Sequence, residues 1–351
     1  MRIAQVAPLM ESVPPRQYGG TERVVSWLTE ELVRLGHDVT LFASGDSITS
    51  AELVACWPRA LRFEPAAACT IPYHLVMLDK VHRRASEFDI IHFHIDYLHF
   101  PLFRNRATNT LTTLHGRLDL PFLVPAFSEF PEMLLVSISD DQRKPVAWAN
   151  WISTVYHGMP NDLLPYRESP SLDYLAFLGR ISPEKRVDRA IDIARRAGMK
   201  LKIAAKVDKA DQAYFKKEIE PLLAQPHVEF IGEIGDAGKS EFLGNAIGLL
   251  FPIDWPEPFG LVMIESMASG TPVVAFQRGS VPEVIDQGVT GFVVHDEEEA
   301  VVAVKRLRML NRRMVRARFE ERFSAERMAR DYLDLYRELA LPMVRPAHGL
   351  A

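Results

Sequence analysis

The sequence predicts an α/β protein made of two Rossmann-like parallel-sheet domains that face a cleft. Short apolar runs alternate with stretches of helical period through the first half. The alternation lapses around residues 161–173, where Pro165 and Pro170 interrupt it, and then starts again. Strands separated by helices imply a parallel sheet. Two such halves in series imply two sheets, with ligands bound outside the carboxyl ends of the strands.

The elements follow in order. Ile3 to Ala7 reads as the first strand, and the loop Ser12 to Gly20 follows it. A helix is expected from about Thr21, a plausible N-cap, with Val24, Val25, Leu28, Leu32 and Leu35 at helical spacing and Gly36 as its stop. Val39 to Ala43, Ile90 to Phe93, Thr110 to Leu114 and Leu134 to Ile138 read as further strands of the first half. After the linker come a strand from Tyr174 to Leu178, a helix from Val187 to Ala197 and a strand from Leu201 to Ala205. Val228 to Ile231, Gly248 to Pro252, Pro272 to Phe276 and Gly291 to Val294 complete the second half. A last helix, about Ala325 to Leu339, carries Met328, Tyr332, Leu335 and Tyr336 on one face and should pack back on the body. The domains are therefore drawn at residues 1–165 and 166–324, with a crossover helix and tail over 325–351.

Composition excludes several classes. A chain of 351 residues, 48% hydrophobic, is long enough for two cores. A net charge of −5 argues against a nucleic-acid partner. No apolar run approaches a membrane span. The start Met1-Arg2-Ile3-Ala4 reads as a strand rather than an export signal, so a cytoplasmic location is expected, with Cys56 and Cys69 as free thiols. The basic stretch Lys305 to Arg318 has Val304, Leu307, Leu310 and Met314 on its other side. It reads as the solvated face of an amphipathic helix, with weak peripheral membrane contact as the alternative.

The most informative residues are Glu257 and Glu265, eight positions apart. Glu257 lies in a Pro-rich loop and Glu265 in the apolar, helix-forming run that follows. The glycine turn between them leaves helix N–H groups and the positive dipole end open to an anion. Two carboxylates bracketing such a turn suit a ligand that has both hydroxyls and phosphate, such as a nucleotide sugar. Gly19 and Gly20 form a second such turn after the first strand, although an ordinary tight turn fits them equally. Arg180 leaves a strand end and Lys185 is expected to start the next helix. Together they could neutralise a diphosphate, or form a solvated cluster with Glu184. His115 ends a strand and is followed by Gly116, as a cleft residue would be, or a turn histidine bonded to backbone.

Other motifs point away from competing chemistry. His92, His94 and His99 suit hydrogen-bonded core or cleft positions better than a zinc site. Gly238-Lys239-Ser240 imitates the end of a phosphate loop, but the first glycine is replaced by Glu233, so the stretch reads as a helix start. No two aspartates are separated by one residue, the pair commonly used to hold a sugar nucleotide through a metal. No metal is therefore expected, and Arg180 and Lys185 would take its place.

Taken together these motifs resemble the retaining glycosyltransferases of the GT-B fold, family 4, over nearly the whole chain. The matching elements are Gly19-Gly20-Thr21, Asp89 to His94, His115-Gly116, Val136 to Ser139, Gly179-Arg180 with Lys185, Glu257 to Leu261 with Glu265, Pro272-Val273-Val274 and Thr290-Gly291-Phe292. The resemblance implies that Arg180 and Lys185 bind the donor diphosphate, with backbone N–H groups near Gly20 and at Phe259, Gly260 and Leu261. Glu257 would contact sugar hydroxyls and Glu265 the ribose. His115 would sit by the reacting centre, and the chain from Ile231 to Ile234 would flank the base. No cofactor is implied beyond the nucleotide-sugar donor. The acceptor would be a sugar, a lipid-linked molecule or a small molecule. The segment Val13 to Gly20 resembles a subset that uses UDP-sugars, and GDP-mannose is the second expectation. A sugar-nucleotide epimerase, a phosphorylase and a non-catalytic sugar-nucleotide-binding protein are the other readings. The chain departs from the family at His157-Gly158-Met159-Pro160 and at Arg278 to Glu283.

Overall fold

The computed structural model describes residues 1–16, 19–64, 67–167 and 170–340. Gln17 and Tyr18 of the Val13 to Gly20 segment, Glu168 and Ser169 of the expected linker, and the tail from residue 341 lie outside the described residues.

Two all-parallel sheets form. The first contains β1 (Arg2–Val6), β2 (Asp38–Ser44), β3 (Glu52–Trp57), β4 (Ile90–Phe93), β5 (Thr110–Thr113), β6 (Leu134–Ser137) and β7 (Trp151–Thr154), in the order β3-β2-β1-β4-β5-β6-β7. The second contains β8 (Tyr174–Arg180), β9 (Lys200–Lys206), β10 (Val228–Gly232), β11 (Gly248–Phe251), β12 (Val273–Phe276) and β13 (Gly291–Val294), in the order β10-β9-β8-β11-β12-β13. The strand order reverses between β1 and β4, where Gln5 faces His92, and between β8 and β11, where Leu175 faces Gly248. Those reversals leave crevices at the strand ends, the usual ligand position in such sheets.

The sequence reading misses β3 and β7. Both are edge strands, paired on one side only, and most of their residues are partly exposed. β7 lacks the uninterrupted apolar run that marks a central strand, whereas β3 carries one, Leu53 to Trp57, that the sequence reading passes over.

The helix Gly20–Arg34 buries Val24, Val25, Leu28 and Leu32, as its periodicity requires. Its N-cap is Gly19, two residues before the expected Thr21, with no side-chain cap. Its first N–H groups are therefore left to another partner. Lys185 likewise does not start a helix. It closes the short 3-10 turn Pro183–Lys185, and the helix Val187–Ala197 follows.

The basic stretch is not one helix. A 3-10 turn at Leu307–Met309 separates the helices Glu297–Arg306 and Arg312–Phe323. Asn311 caps the second by accepting from the N–H groups of Arg313 and Met314. Nor is its charged face wholly solvated. Arg312 donates to the carbonyls of Ala246 and Gly244, and burial pulls its pKa down to about 10. Arg316 donates to the carbonyls of Asn161, Leu164 and Ala268, tying the interdomain linker to the second domain. Met314, expected on the apolar side, is exposed.

The last helix, Ala325–Ala340, returns to the first sheet. It packs on the helix Gly20–Arg34 and on β4, with Met328, Tyr332 and Tyr336 buried and Leu335 only partly so. Its entry is pinned by Met159, whose N–H donates to the Phe323 carbonyl and whose own carbonyl accepts from Ala325, both at 2.9 Å.

Candidate functional site

A cavity of about 460 Å³ opens where the carboxyl ends of both sheets meet. The first domain contributes Gly19, Gly20 and Thr21 from the turn after β1, Arg23 one helical turn on, and His115 after β5. The second contributes Arg180 from the end of β8, Lys185, Ile234, Asp236, Lys239, and Trp255 to Leu261 with Glu265. Of the expected site residues, Ile231 alone stands outside the lining. It lies on the edge strand β10 and is exposed.

Two helix N-termini open into this space. The helix Leu261–Ala268 has Gly260 at its N-cap with φ 80°, and like Gly20–Arg34 it has no side-chain cap. A Cβ at Gly260 would meet the movable end of Met263 at 2.9 Å, so it is the left-handed backbone conformation that requires glycine. The uncapped N–H groups carry the positive end of each helix dipole, a setting for phosphate.

The loop bearing Glu257 is held from both domains. Ser139 Oγ of the first donates to the Pro258 carbonyl at 2.7 Å. In the second, Ser280 donates from its N–H to the Glu257 carbonyl at 3.0 Å and from its hydroxyl to the Phe259 carbonyl at 2.8 Å. Glu257 is buried, pairs with Lys185, and accepts from Trp255 Nε1 at 3.0 Å. The Lys185 ammonium lies 4.9 Å from the centre of the Trp255 ring, a favourable cation–π position. Arg180 donates to Glu184 at 2.7 Å.

Glu265, in the helix that follows, accepts from Lys239 at 2.7 Å. Lys239 also pairs with Asp236 at 3.2 Å, and Arg23 reaches Asp236 across the cleft. Burial pushes the Asp236 carboxyl up, but Arg23 and Lys239 outweigh it and hold the group below its usual range. The cavity therefore presents alternating cations and carboxylates, which suits a ligand with both anionic and hydroxyl groups.

His115 lines the cavity beside a chain of buried polar groups. Its Nε2 lies 2.8 Å from His94 Nδ1, and His94 Nε2 lies 2.8 Å from Gln5 Oε1. The His157 ring stacks on His115 at 5.2 Å and meets Phe259 edge-on at 4.8 Å. The His115 residue surface is partly accessible, but its Nδ1 is enclosed; burial pulls its pKa down to about 3 and keeps it neutral. Burial also lowers the pKa of His92, His94, His99 and His157. His99 is elsewhere, stacked on Phe93 in the first core. Among the described residues no group of three His, Cys, Asp or Glu is placed to hold a metal ion.

The sequence reading does not assign Arg23, His157, Asp236, Lys239 or Trp255 to the site. Lys239 and Asp236 carry a usable signal, since they stand three apart at the helix start that imitates a phosphate loop. Arg23 and His157 carry none, because their neighbours come from elements remote in sequence.

Two parallel-sheet domains with the site between them make up the GT-B fold. Residues 18–188 match the family described as Glycosyltransferase Family 4, and residues 166–324 match Glycosyl transferases group 1. The chain belongs to the group 1, family 4 glycosyltransferases. It is 30% identical over 113 residues to phosphatidyl-myo-inositol mannosyltransferase of Mycobacterium leprae, a match spanning 32% of this chain and 30% of that enzyme. It is 27% identical over 408 residues to alpha-maltose-1-phosphate synthase of Mycobacterium tuberculosis, covering 95% of this chain and 99% of that one. In fold it is similar to Anabaena Alr3699/HepE in complex with UDP, with TM-score 0.74, 18% identity, and 96% and 100% of the two chains covered. Among the described residues no helix is long and apolar enough to cross a membrane.

Proposed function

We propose that this enzyme moves a hexosyl group from a UDP-sugar to a hydroxyl acceptor, with retention at the anomeric carbon and without a metal. The observation that carries the reading is the convergence of two uncapped helix N-termini with Arg180 and Lys185 on one cavity. That arrangement places fixed positive charge where a departing diphosphate would develop negative charge. In this reading Arg180, Lys185 and the N–H groups at Gly20, Phe259, Gly260 and Leu261 hold the diphosphate. Glu257 binds sugar hydroxyls, Glu265 the ribose, and Ile234 the base. Residues 166–324 form the donor half, and the acceptor meets residues 1–165.

Departure of the diphosphate breaks the bond from the anomeric carbon to the phosphate oxygen. The acceptor oxygen bonds to the same face, and its proton passes to the departing phosphate oxygen. His115 is neutral and serves as a hydrogen-bonding partner to the sugar, with no proton to exchange at neutral pH. UDP is favoured by the likeness of Val13 to Gly20 to UDP-using relatives and by the bound UDP of the Anabaena neighbour.

A thermal-shift comparison of UDP, GDP and ADP, with and without EDTA, tests the donor. A UDP-selective rise that survives EDTA is expected. A GDP-selective rise would replace the donor with GDP-mannose, and a rise that needs a divalent cation would overturn metal independence. UDP release from UDP-glucose then separates a transferase from a protein that only binds, and the anomeric configuration of the product tests retention.

A further inference from the structure

We infer that Gln5 and His94 act as positioning residues for His115, placing its single proton on Nε2 and turning Nδ1 into an acceptor for a sugar hydroxyl. The argument starts at Gln5, wholly buried on β1 where the first sheet reverses its strand order. Its amide nitrogen donates to the Tyr336 hydroxyl at 3.1 Å, which leaves Oε1 facing His94 Nε2 at 2.8 Å. An amide oxygen only accepts, so His94 Nε2 carries the proton. Burial keeps His94 neutral, and its Nδ1 is therefore bare. Across the 2.8 Å to His115, only His115 Nε2–H can donate.

His115 is neutral as well, so that bond uses its only ring proton. Its Nδ1 is left bare, buried and without a hydrogen-bond partner among the described residues. A buried orphan acceptor is uncommon and calls for a donor. His115 lines the cavity, but Nδ1 itself is shut from solvent, so a donor reaches it only when the ring shifts as the sugar enters; the donor a sugar offers is an O–H group, whereas a phosphate or carboxylate oxygen has no proton to give.

The other end of the chain agrees in sense. Tyr336, having accepted from Gln5, donates to His92 Nδ1 at 2.7 Å. His92, neutral through burial, donates from Nε2 to Thr113 Oγ1 at 2.7 Å, and Thr113 donates to the Tyr332 hydroxyl at 2.8 Å. Along this chain no two donors face each other. Tyr332 and Tyr336 both belong to the helix Ala325–Ala340. Docking of that helix therefore supplies the hydroxyl that the Gln5 amide faces, and the orientation of that amide sets His115. A reversed Gln5 amide would reverse every bond and present Nδ1–H to the cavity instead.

The sugar contact rests on the function proposed above, whereas the tautomer does not. Nitrogen-15 spectra of the full chain labelled at histidine, with the His115 signals assigned through His115→Asn, should show Nε2 protonated and Nδ1 bare. In Gln5→Leu the His115 signals should move toward a mixture of tautomers, and kcat/KM for the donor should fall about tenfold with UDP affinity unchanged. Gln5→Glu, which keeps an oxygen facing His94, should retain the wild-type tautomer and activity within threefold. Nδ1–H in the wild-type spectrum overturns the inference, as do unchanged His115 signals in Gln5→Leu. If Gln5→Leu fails to fold, the wild-type spectrum alone decides. The expected tautomer without turnover of any nucleotide sugar counts against the transferase and leaves the relay standing. Turnover with Nδ1–H counts against the relay alone.

Discussion

Lys185→Met separates the stabilising role of the Lys185–Glu257 pair from its proposed role in transfer. The two side chains are 17% and 11% exposed, so water screens the pair little. Removing the ammonium leaves Glu257 with the Trp255 Nε1–H as its remaining side-chain donor, at 3.0 Å. Breaking a buried pair from one side costs roughly 3 kcal/mol, because the surviving charge stays desolvated. The substitution also removes one fixed cation from the departing diphosphate, worth about 3 kcal/mol in the transition state, or on the order of a hundredfold in turnover. A second variant, Lys185→Met with Glu257→Gln, leaves no lone charge and should recover much of the melting temperature. It should recover no turnover. The assays are a thermal melt and the rate of UDP release at saturating donor. Turnover of Lys185→Met within threefold of wild type would refute the diphosphate role, as would recovery of turnover in the double variant.

Three further outcomes are expected. Glu283 of the second domain accepts from the N–H groups of Asp140 and Asp141 at 2.7 and 2.8 Å and from the Tyr156 hydroxyl at 3.1 Å, so Glu283→Ala should loosen the domains and raise the radius of gyration in small-angle scattering; an unchanged profile contradicts this. Gly279 has φ 54° and sits against the Glu257 backbone, so Gly279→Ala should lower the melting temperature and cut turnover at least tenfold, and wild-type turnover would count against a rigidly placed Glu257. The buried histidines give stability a pH dependence whose sign follows from their lowered pKa values. Unfolded chains take up these protons near pH 6.5 while His115 resists until about 3. Stability is then full above pH 6.5 and falls with acid through that window, by about 1.4 kcal/mol per pH unit for each such histidine. Melting temperatures that stay level from pH 7.5 to 5 would show that these groups do not remain neutral in the fold.

Most central strands and the long helices are legible because burial leaves a periodic trace. The helix Val187–Ala197, the central strand Ile90–Phe93 and the buried edge strand Gly291–Val294 stand where their apolar runs put them. The edge strand β7 leaves little trace, since half of its four residues are the polar Ser153 and Thr154, while β3 carries an apolar run, Leu53 to Trp57, that the reading passes over. The basic stretch misleads for a related reason. Residue type tells that Arg312 and Arg316 are charged, but not that unpaired carbonyls at Gly244, Ala246 and Leu164 wait within reach.

The sequence by itself determined the two-sheet architecture and the family. It also named the Gly19-Gly20 turn, Arg180, Lys185, Glu257 and Glu265, all of which line one cavity. Those features are local: a glycine turn before a helix, or a cation at a strand end, needs only its neighbours to be recognised. Only the tertiary structure decided that Glu257 faces Lys185, that Glu265 faces Lys239, and that Arg23 crosses the cleft to Asp236. It alone joined Gln5, His94 and His115 to Tyr336 of the last helix. Gln5 and Tyr336 stand 331 positions apart, and no periodicity or spacing records a hydrogen bond between groups that only folding brings together.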